Sequence, residues 1–239
     1  MTTINVNAIE SSTSTLTIGE SGNSVVAADS VNVNLVKDAS GATMWQSNGS
    51  GVLSNVNSAF GDSIVLLSTQ TASSSASINF TSGIDSTYKE YIFKYINIHP
   101  ATDGSSFSFQ CSKDAGSTYN LVTTSSTYRA YHFENDSQHN LAYDNSTDQA
   151  EGTGYQWLAE NFGSDNDQSG SGTLTLYNPS STTFAKHYIG RCSRVSSNDN
   201  AYDFFVGGYF NDTSAINAIS FKMSAGNIDA GTIKMYGVK

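Results

Sequence analysis

The carboxylates best placed for chemistry lie in one short polar run, Asp165-Asn166-Asp167-Gln168-Ser169-Gly170. Oxygen ligands that alternate along the chain before a glycine resemble the opening of a calcium-binding loop. The late bidentate carboxylate of such a loop is missing, because position twelve counted from Asp165 is Leu176. The run is therefore interpreted first as a solvated loop between strands, and Asp165 and Asp167 are the calcium candidates.

The histidines lack the spacing of a metal site. No pair fits H-E-x-x-H, and no cysteine pair has zinc-finger spacing. His132 and His139 flank Glu134 and Asp136, which could form a small polar cluster. An exposed loop is the favoured interpretation of that segment, and the sequence predicts no cofactor.

Cys111 and Cys192 are the only cysteines. Two cysteines do not make a disulfide framework, and both lie in apparent strands. They are predicted to be small buried residues. A bridge between them would require the two strands to be neighbours, which the sequence does not reveal.

Catalytic motifs are missing from the sequence. It contains no G-x-S-x-G elbow and no phosphate-binding P-loop. Glu151, Glu160 and Asp203 could in principle pair as the two carboxylates of a glycosidase, but sequence alone gives no separation between them. We therefore expect a protein that is not an enzyme.

Four aromatic residues lie in or beside polar loops: Tyr131, Tyr143, Tyr155 and Trp157. Aromatic faces beside Asn, Asp and Gln side chains can form a platform for a sugar. The same residues can equally fill a sandwich interior, and this is the favoured interpretation. They stand as the candidates for contact with a glycan or another surface.

The composition of the chain limits the classes of partner that it is expected to bind. The chain of 239 residues has a formal net charge of -10, which disfavours binding to phosphate backbones and hence to nucleic acid.

No apolar run reaches the roughly 18 residues of a membrane span. The first residues, Met1-Thr2-Thr3-Ile4-Asn5, have no signal-peptide pattern. Export as part of a virus particle would account for an extracellular protein without such a signal.

The last stretch, residues 215–239, shows the clearest structural pattern. Two alternating segments flank a linker rich in Gly, Asn and Asp at 225–231, which predicts a β-hairpin with one apolar face. We expect the apolar residues of that face to be core: Ile219, Phe221, Met223, Ile233 and Met235.

The strongest single strand signal covers residues 88–98. Tyr91, Phe93 and Tyr95 alternate with Ile92 and Ile96, and Ile98 continues the second face. Apolar residues on both faces predict a central strand that is covered on both sides. Roughly ten strands separated by polar turns, with no helical periodicity, predict an all-β protein with a jelly-roll-like β-sandwich over residues 66–239.

Residues 1–65 differ from the rest. Short alternating segments at 4–7, 16–19 and 31–35 are punctuated by glycines, with little apolar material for a core. We interpret this part as a short-stranded, extended attachment and oligomerisation region. The alternative is a flexible arm that becomes ordered only on assembly.

Several segments of the sequence carry a resemblance to a known family. They are 78–88 (INFTSGIDSTY), 96–103 (INIHPATD), 174–181 (LTLYNPSS), 226–239 (GNIDAGTIKMYGVK), and, at the start, 4–9 (INVNAI) with 16–19 (LTIG). These segments resemble virion appendage proteins of marine tailed bacteriophages. The resemblance covers about 68–239, and the opening of the chain also looks like the start of such proteins.

This resemblance implies a structural protein of the virion, either a tail fibre, a head fibre or a capsid decoration, often trimeric. It brings no catalytic motif. Residues 1–65 are then expected to contact other virion proteins and neighbouring copies in a homotrimer, while the sandwich faces outward toward a host surface. The alternatives are a lectin-like module that recognises host glycans and, less favoured, a glycan depolymerase.

Overall fold

The computed structural model describes residues 35–37, 40–47, 50, 53–54 and 63–239. The chain divides into two compact units, residues 1–61 and 62–239. The short strands predicted at 4–7 and 16–19, and most of the one at 31–35, lie outside the described residues. Each unit is considered by itself below.

The first unit contains a small antiparallel sheet. Its strands are β1 (Leu35–Lys37), β2 (Thr43–Ser47) and β3 (Leu53–Ser54), in the order β1-β2-β3. Val36 lies opposite Trp45 in the register. No side chain of β1 or β2 is buried, so the described strands do not enclose a core of their own.

The second unit is built from strands throughout, and the described residues contain no helix, hence none long and apolar enough to cross a membrane. The prediction of an all-β fold is confirmed. The strands are β4 (Ile64–Ser75), β5 (Ile78–Phe80), β6 (Glu90–Pro100), β7 (Ser105–Ser112), β8 (Thr123–Phe133), β9 (His139–Tyr143), β10 (Gln156–Phe162), β11 (Gly170–Tyr177), β12 (Lys186–Val195), β13 (Asn200–Phe210), β14 (Ala218–Met223) and β15 (Ile228–Val238).

These strands form two antiparallel sheets packed as a sandwich. The smaller sheet has the order β5-β14-β7-β10, and the larger has β4-β15-β6-β11-β12-β13-β8-β9. The connections β4–β5, β5–β6, β6–β7, β7–β8, β9–β10, β10–β11, β13–β14 and β14–β15 all pass between sheets. The strands β4-β15-β6-β11 of the larger sheet and β5-β14-β7-β10 of the smaller sheet make the eight strands of a jelly roll, and β12, β13, β8 and β9 extend the larger sheet beyond β11.

Aromatic rings from the two sheets meet in the core. Phe221 of the smaller sheet lies with its ring centroid 5.5 Å from that of Phe93 in the larger sheet. Tyr95 approaches Phe107 at 5.3 Å between ring centroids. All four side chains are buried. Residues alternate between the two faces of each strand, so each sheet has one apolar face. The two apolar faces are buried against each other.

The predicted terminal hairpin is wrong. β14 pairs with β5 and β7, whereas β15 pairs with β4 and β6 in the other sheet. The two strands face each other across the core because each can bury its apolar side there, and alternation does not distinguish facing strands from paired ones. The predicted core residues of this stretch are confirmed as buried: Ile219, Phe221, Met223, Ile233 and Met235.

The prediction that β6 is covered on both faces is also wrong. Tyr91, Phe93 and Tyr95 are buried, but Ile96 on the opposite face is 42% exposed. Asn97 adopts a positive φ of 50°, and the registers with β11 and β15 shift in this part of the strand. The irregularity returns the next residue, Ile98, to the buried side.

Both cysteines are free and buried, as predicted. Cys111 lies on β7 in the smaller sheet, and Cys192 lies on β12 in the larger sheet. Burial raises the pKa of Cys192 to about 12 and that of Cys111 well above its ordinary value. Neither thiol is therefore poised for nucleophilic chemistry.

Replacing Phe221 with Ala should destabilise the sandwich strongly. The substitution removes a buried ring that contacts Phe93 and leaves a cavity between the sheets, so the free energy of unfolding should fall by ~3–5 kcal/mol. Phe184→Ala is the matched control, because Phe184 is 68% exposed and its loss should change stability by less than about 0.5 kcal/mol. Equal effects in denaturant-induced unfolding would contradict the assigned core.

Candidate functional site

The two calcium candidates lie in the exposed loop between β10 and β11. The backbone N–H of Asp165 donates to Gln168 Oε1 (3.1 Å), and the Asp165 carbonyl oxygen lies 3.2 Å from His99 Nε2. The Asp167 side chain is exposed. No group of three or more His, Cys, Asp or Glu side chains in the described part of the chain could hold a metal. The calcium assignment stays a prediction.

The four predicted surface aromatics are divided between the two sheets. Trp157 is on β10 of the smaller sheet and Tyr155 directly precedes that strand, while Tyr131 and Tyr143 are on β8 and β9 of the larger sheet. The Lys222 ammonium lies 4.0 Å from the centroid of the Tyr155 ring. Tyr131, Tyr155 and Trp157 are half-buried and Tyr143 is exposed.

The His132 and His139 rings are neighbours at the β8–β9 edge, with centroids 6.1 Å apart. His132 Nε2 lies 3.0 Å from Asp136 Oδ1, and both side chains are largely exposed. Glu134 is also exposed. The arrangement is that of a solvated turn.

The three candidate glycosidase carboxylates lie in different surroundings. Asp203 points away from the core and forms a bidentate pair with Arg191, with contacts of 2.9 and 2.6 Å. Glu160 points toward the sandwich interior, and Glu151 lies in an exposed loop. Within the described residues, no hydrogen bond or ion pair joins any two of the three.

A polar cleft lies at the rim of the sandwich, where residues of β8, β10 and β13 converge. One hollow of about 310 Å³ adjoins a second of about 650 Å³, and Phe133 and Asn198 line both. We call the two hollows together the rim cleft. The first is lined by Arg129, Tyr131, Phe133, Gln138, Glu160, Asn161, Asn198, Asn200 and Tyr202. The second is lined by Phe133, Glu134, Asn135, Asn198 and Asp199.

An ion network lies at the base of the rim cleft. The Arg129 guanidinium bridges Glu160 and Asp144, with Nη1 2.6 Å from Asp144 Oδ2. The Tyr202 hydroxyl donates to Glu160 Oε1 at 2.8 Å. Burial and this hydrogen bond raise the pKa of Tyr202, so the hydroxyl stays protonated as a donor. Burial acts to lower the pKa of Arg129. The neighbouring Glu160, Tyr202 and Asp144 act in the opposite direction and are stronger together, so the pKa of Arg129 is raised.

A second arginine is buried behind Tyr202. Arg194 is 3% exposed, and its guanidinium carbon lies 3.9 Å from the centroid of the Tyr202 ring. Burial lowers the pKa of Arg194 to about 10, which still leaves it charged at neutral pH. The nitrogens of its guanidinium have no hydrogen-bond partner among the described residues, and neither does Asn200 Oδ1. Buried polar groups normally have hydrogen-bond partners, so unpaired groups such as these at the base of the rim cleft are unusual.

Two residues beside the rim cleft have a left-handed backbone conformation. Asn161 on β10 and Asp199 in the turn between β12 and β13 have positive φ values of 54° and 53°, a region that Asn and Asp enter more readily than other non-glycine residues. Ser197 Oγ donates to Asn161 Oδ1 at 2.8 Å and its N–H donates to the Asn161 carbonyl, and these contacts hold the Asn161 backbone in place.

Sequence reasoning named only part of this site. Tyr131 was a surface candidate and Glu160 a candidate carboxylate, but nothing pointed to Arg129 or Tyr202. Arg129, Glu160 and Tyr202 lie on three strands that are far apart in sequence, β8, β10 and β13. No local spacing in the sequence could therefore reveal that these residues meet. The run of Asn and Asp at 198–200 was the one available signal.

Comparisons with protein-family models, with curated proteins and with solved structures give no match to this chain. The function of the rim cleft is therefore argued from its chemistry.

Glu160→Gln should destabilise the protein more than Asp203→Asn. The first change removes a mostly buried charge that satisfies Arg129 and Tyr202, and should lower the free energy of unfolding by about 1–2 kcal/mol, since Arg129 is itself 31% exposed. The second removes one partner of a solvent-exposed pair and should leave the unfolding midpoint nearly unchanged. The reverse order in urea unfolding would show that the network at the base of the cleft does not support the fold.

Proposed function

We propose that this chain is a structural protein of a tailed-phage particle, a fibre or surface-decoration component that displays its β-sandwich outward. The observation that carries the proposal is the sequence resemblance to virion appendage proteins. It coincides with one self-contained jelly-roll unit, because the resembling segments include β5, the end of β11 and all of β15. Jelly rolls are common among capsid proteins, which supports this class of function without fixing it.

In this proposal, residues 1–65 attach the protein to other virion proteins and to neighbouring copies in a homotrimer. The strands β1 and β2 of the first unit bury no side chain, so association with another chain would supply further burial. The net charge of -10 favours neither nucleic acid nor an anionic membrane as a partner. The protein would reside on the virion.

A second candidate function is lectin-like recognition of host glycans. The rim cleft favours it, because amide, carboxylate and aromatic side chains converge there around an open hollow. We do not propose a depolymerase. Asp203 points away from the core and pairs with Arg191, Glu160 pairs with Arg129 inside the rim, and Glu151 lies in an exposed loop, so nothing favours a glycosidase pair among these three.

Deleting residues 1–61, the whole first unit, leaves β4 intact and should abolish incorporation into phage particles. Purified particles carrying the truncated chain should lack it by mass spectrometry, whereas full-length Phe184→Ala should be incorporated normally. Circular dichroism must show that the truncated chain retains its strands. A folded, truncated protein found in particles at the wild-type level would refute the attachment role.

Host polysaccharide incubated with the full chain should keep its length. Size-exclusion chromatography should show the same profile after prolonged incubation with the protein as with buffer. A shift of the polysaccharide toward smaller sizes would overturn the proposal that the protein is not an enzyme.

A further inference from the structure

We propose that the rim cleft binds a neutral saccharide, with one sugar ring packed against Phe133 and its hydroxyls bound by the surrounding amides. This inference rests on the candidate role in host-glycan recognition and assigns that role a site. Of the four aromatics that the sequence offers as candidates for glycan contact, and favours as core, only Tyr131 takes part.

The apolar wall of the site is Phe133. It is half-buried, lies at the end of β8 and lines both hollows, so a ring placed in either one can reach it. Tyr131 meets it edge to face, with centroids 5.9 Å apart and planes at 73°. Tyr131 in turn stacks on the buried Tyr202 at 5.6 Å. These contacts fix the wall before a ligand arrives, which reduces the entropic cost of binding.

The polar groups of the site suit sugar hydroxyls. Gln138, Asn161 and Asn198 each offer an amide, which has both donor and acceptor atoms. A hydroxyl also donates and accepts, so neighbouring hydroxyls on one ring match neighbouring amides. Ligand sites commonly combine an aromatic surface with a few polar groups of this kind that set orientation.

The charges of the cleft favour a neutral ligand. Glu160 and Asp144 both contact Arg129, so its positive charge is already compensated. Glu134 and Asp199 add further negative charge around the second hollow. Arg194 adds one positive charge behind Tyr202 but lines neither hollow, so four carboxylates stand against two guanidiniums and an anionic uronate, sulfate or phosphate group is disfavoured.

One hydrogen-bond acceptor at the base of the cleft has no partner among the described residues. It is Oδ1 of Asn200, which lines the first hollow and is 4% exposed. A buried acceptor left unpaired is costly, and a ligand hydroxyl or a water held by the ligand would satisfy it.

The test uses the full-length chain on an array of defined oligosaccharides. Neutral glucose, galactose, mannose and N-acetylglucosamine oligomers are printed beside uronate-containing and sulfated ones. The best neutral ligand is then titrated against the wild type and three variants by calorimetry. The wild type should bind at least one neutral oligosaccharide and none of the acidic ones in preference to it.

Phe133→Ala should weaken binding by about ten-fold or more, because the ring that packs on the sugar is lost. Asn198→Ala should weaken it by about three-fold or more, because it removes an exposed amide without touching the core. Phe184→Ala is the aromatic control, lies outside the cleft and should bind as the wild type does. If Phe133→Ala fails to fold, the Asn198→Ala titration decides alone.

Three results would overturn the inference: no neutral saccharide bound above background, preference for acidic glycans, or unchanged affinity in both Phe133→Ala and Asn198→Ala. The test is independent of the truncation experiment. Particles that incorporate a chain without saccharide binding would leave the virion role standing and remove only the site.

Discussion

The contact on which the rest of this structure depends is the packing of aromatic rings between its two sheets. Phe221 is at the centre of that packing: its ring stacks on Phe107 in its own sheet, with centroids 5.8 Å apart and planes at 14°, and meets Phe93 of the opposite sheet. Because one face of each sheet is committed to this layer, strands such as β12 present alternate residues to it. The fold needs few charged residues outside this aromatic layer, and only 13% of the residues in the chain are charged.

The same inward-facing layer changes character at the rim. On β8 the inward positions end with Arg129, Tyr131 and Phe133, and β10 contributes Glu160 where the middle of the sandwich would place an apolar side chain. Burying such groups is costly unless they are paired, and Arg129 and Glu160 are. The fold thus accepts a polar network at the rim, and the network leaves a cleft open to solvent. Rigid strands position the walls of this cleft before a ligand arrives.

Alternation in the sequence was sufficient to predict the fold class and much of the core, because burial on one face of a strand leaves a period of two. It could not predict that β14 and β15 lie in opposite sheets, since a strand that faces another and a strand that pairs with it have the same pattern. It also missed the irregularity at Asn97, where one backbone angle moves Ile98 to the other face. The rim cleft was largely hidden because Arg129, Glu160 and Tyr202 meet only after three strands are placed.

The central claim is that this chain is displayed on a phage particle with its sandwich outward and its rim cleft free to meet a host surface. A cryo-electron microscopy map of the intact particle tests it most directly. The account predicts density for the jelly roll projecting from the particle, with residues 1–65 at its base and Phe133 facing solvent. A map in which the sandwich is absent, or in which the rim cleft is buried against another virion protein, would contradict it.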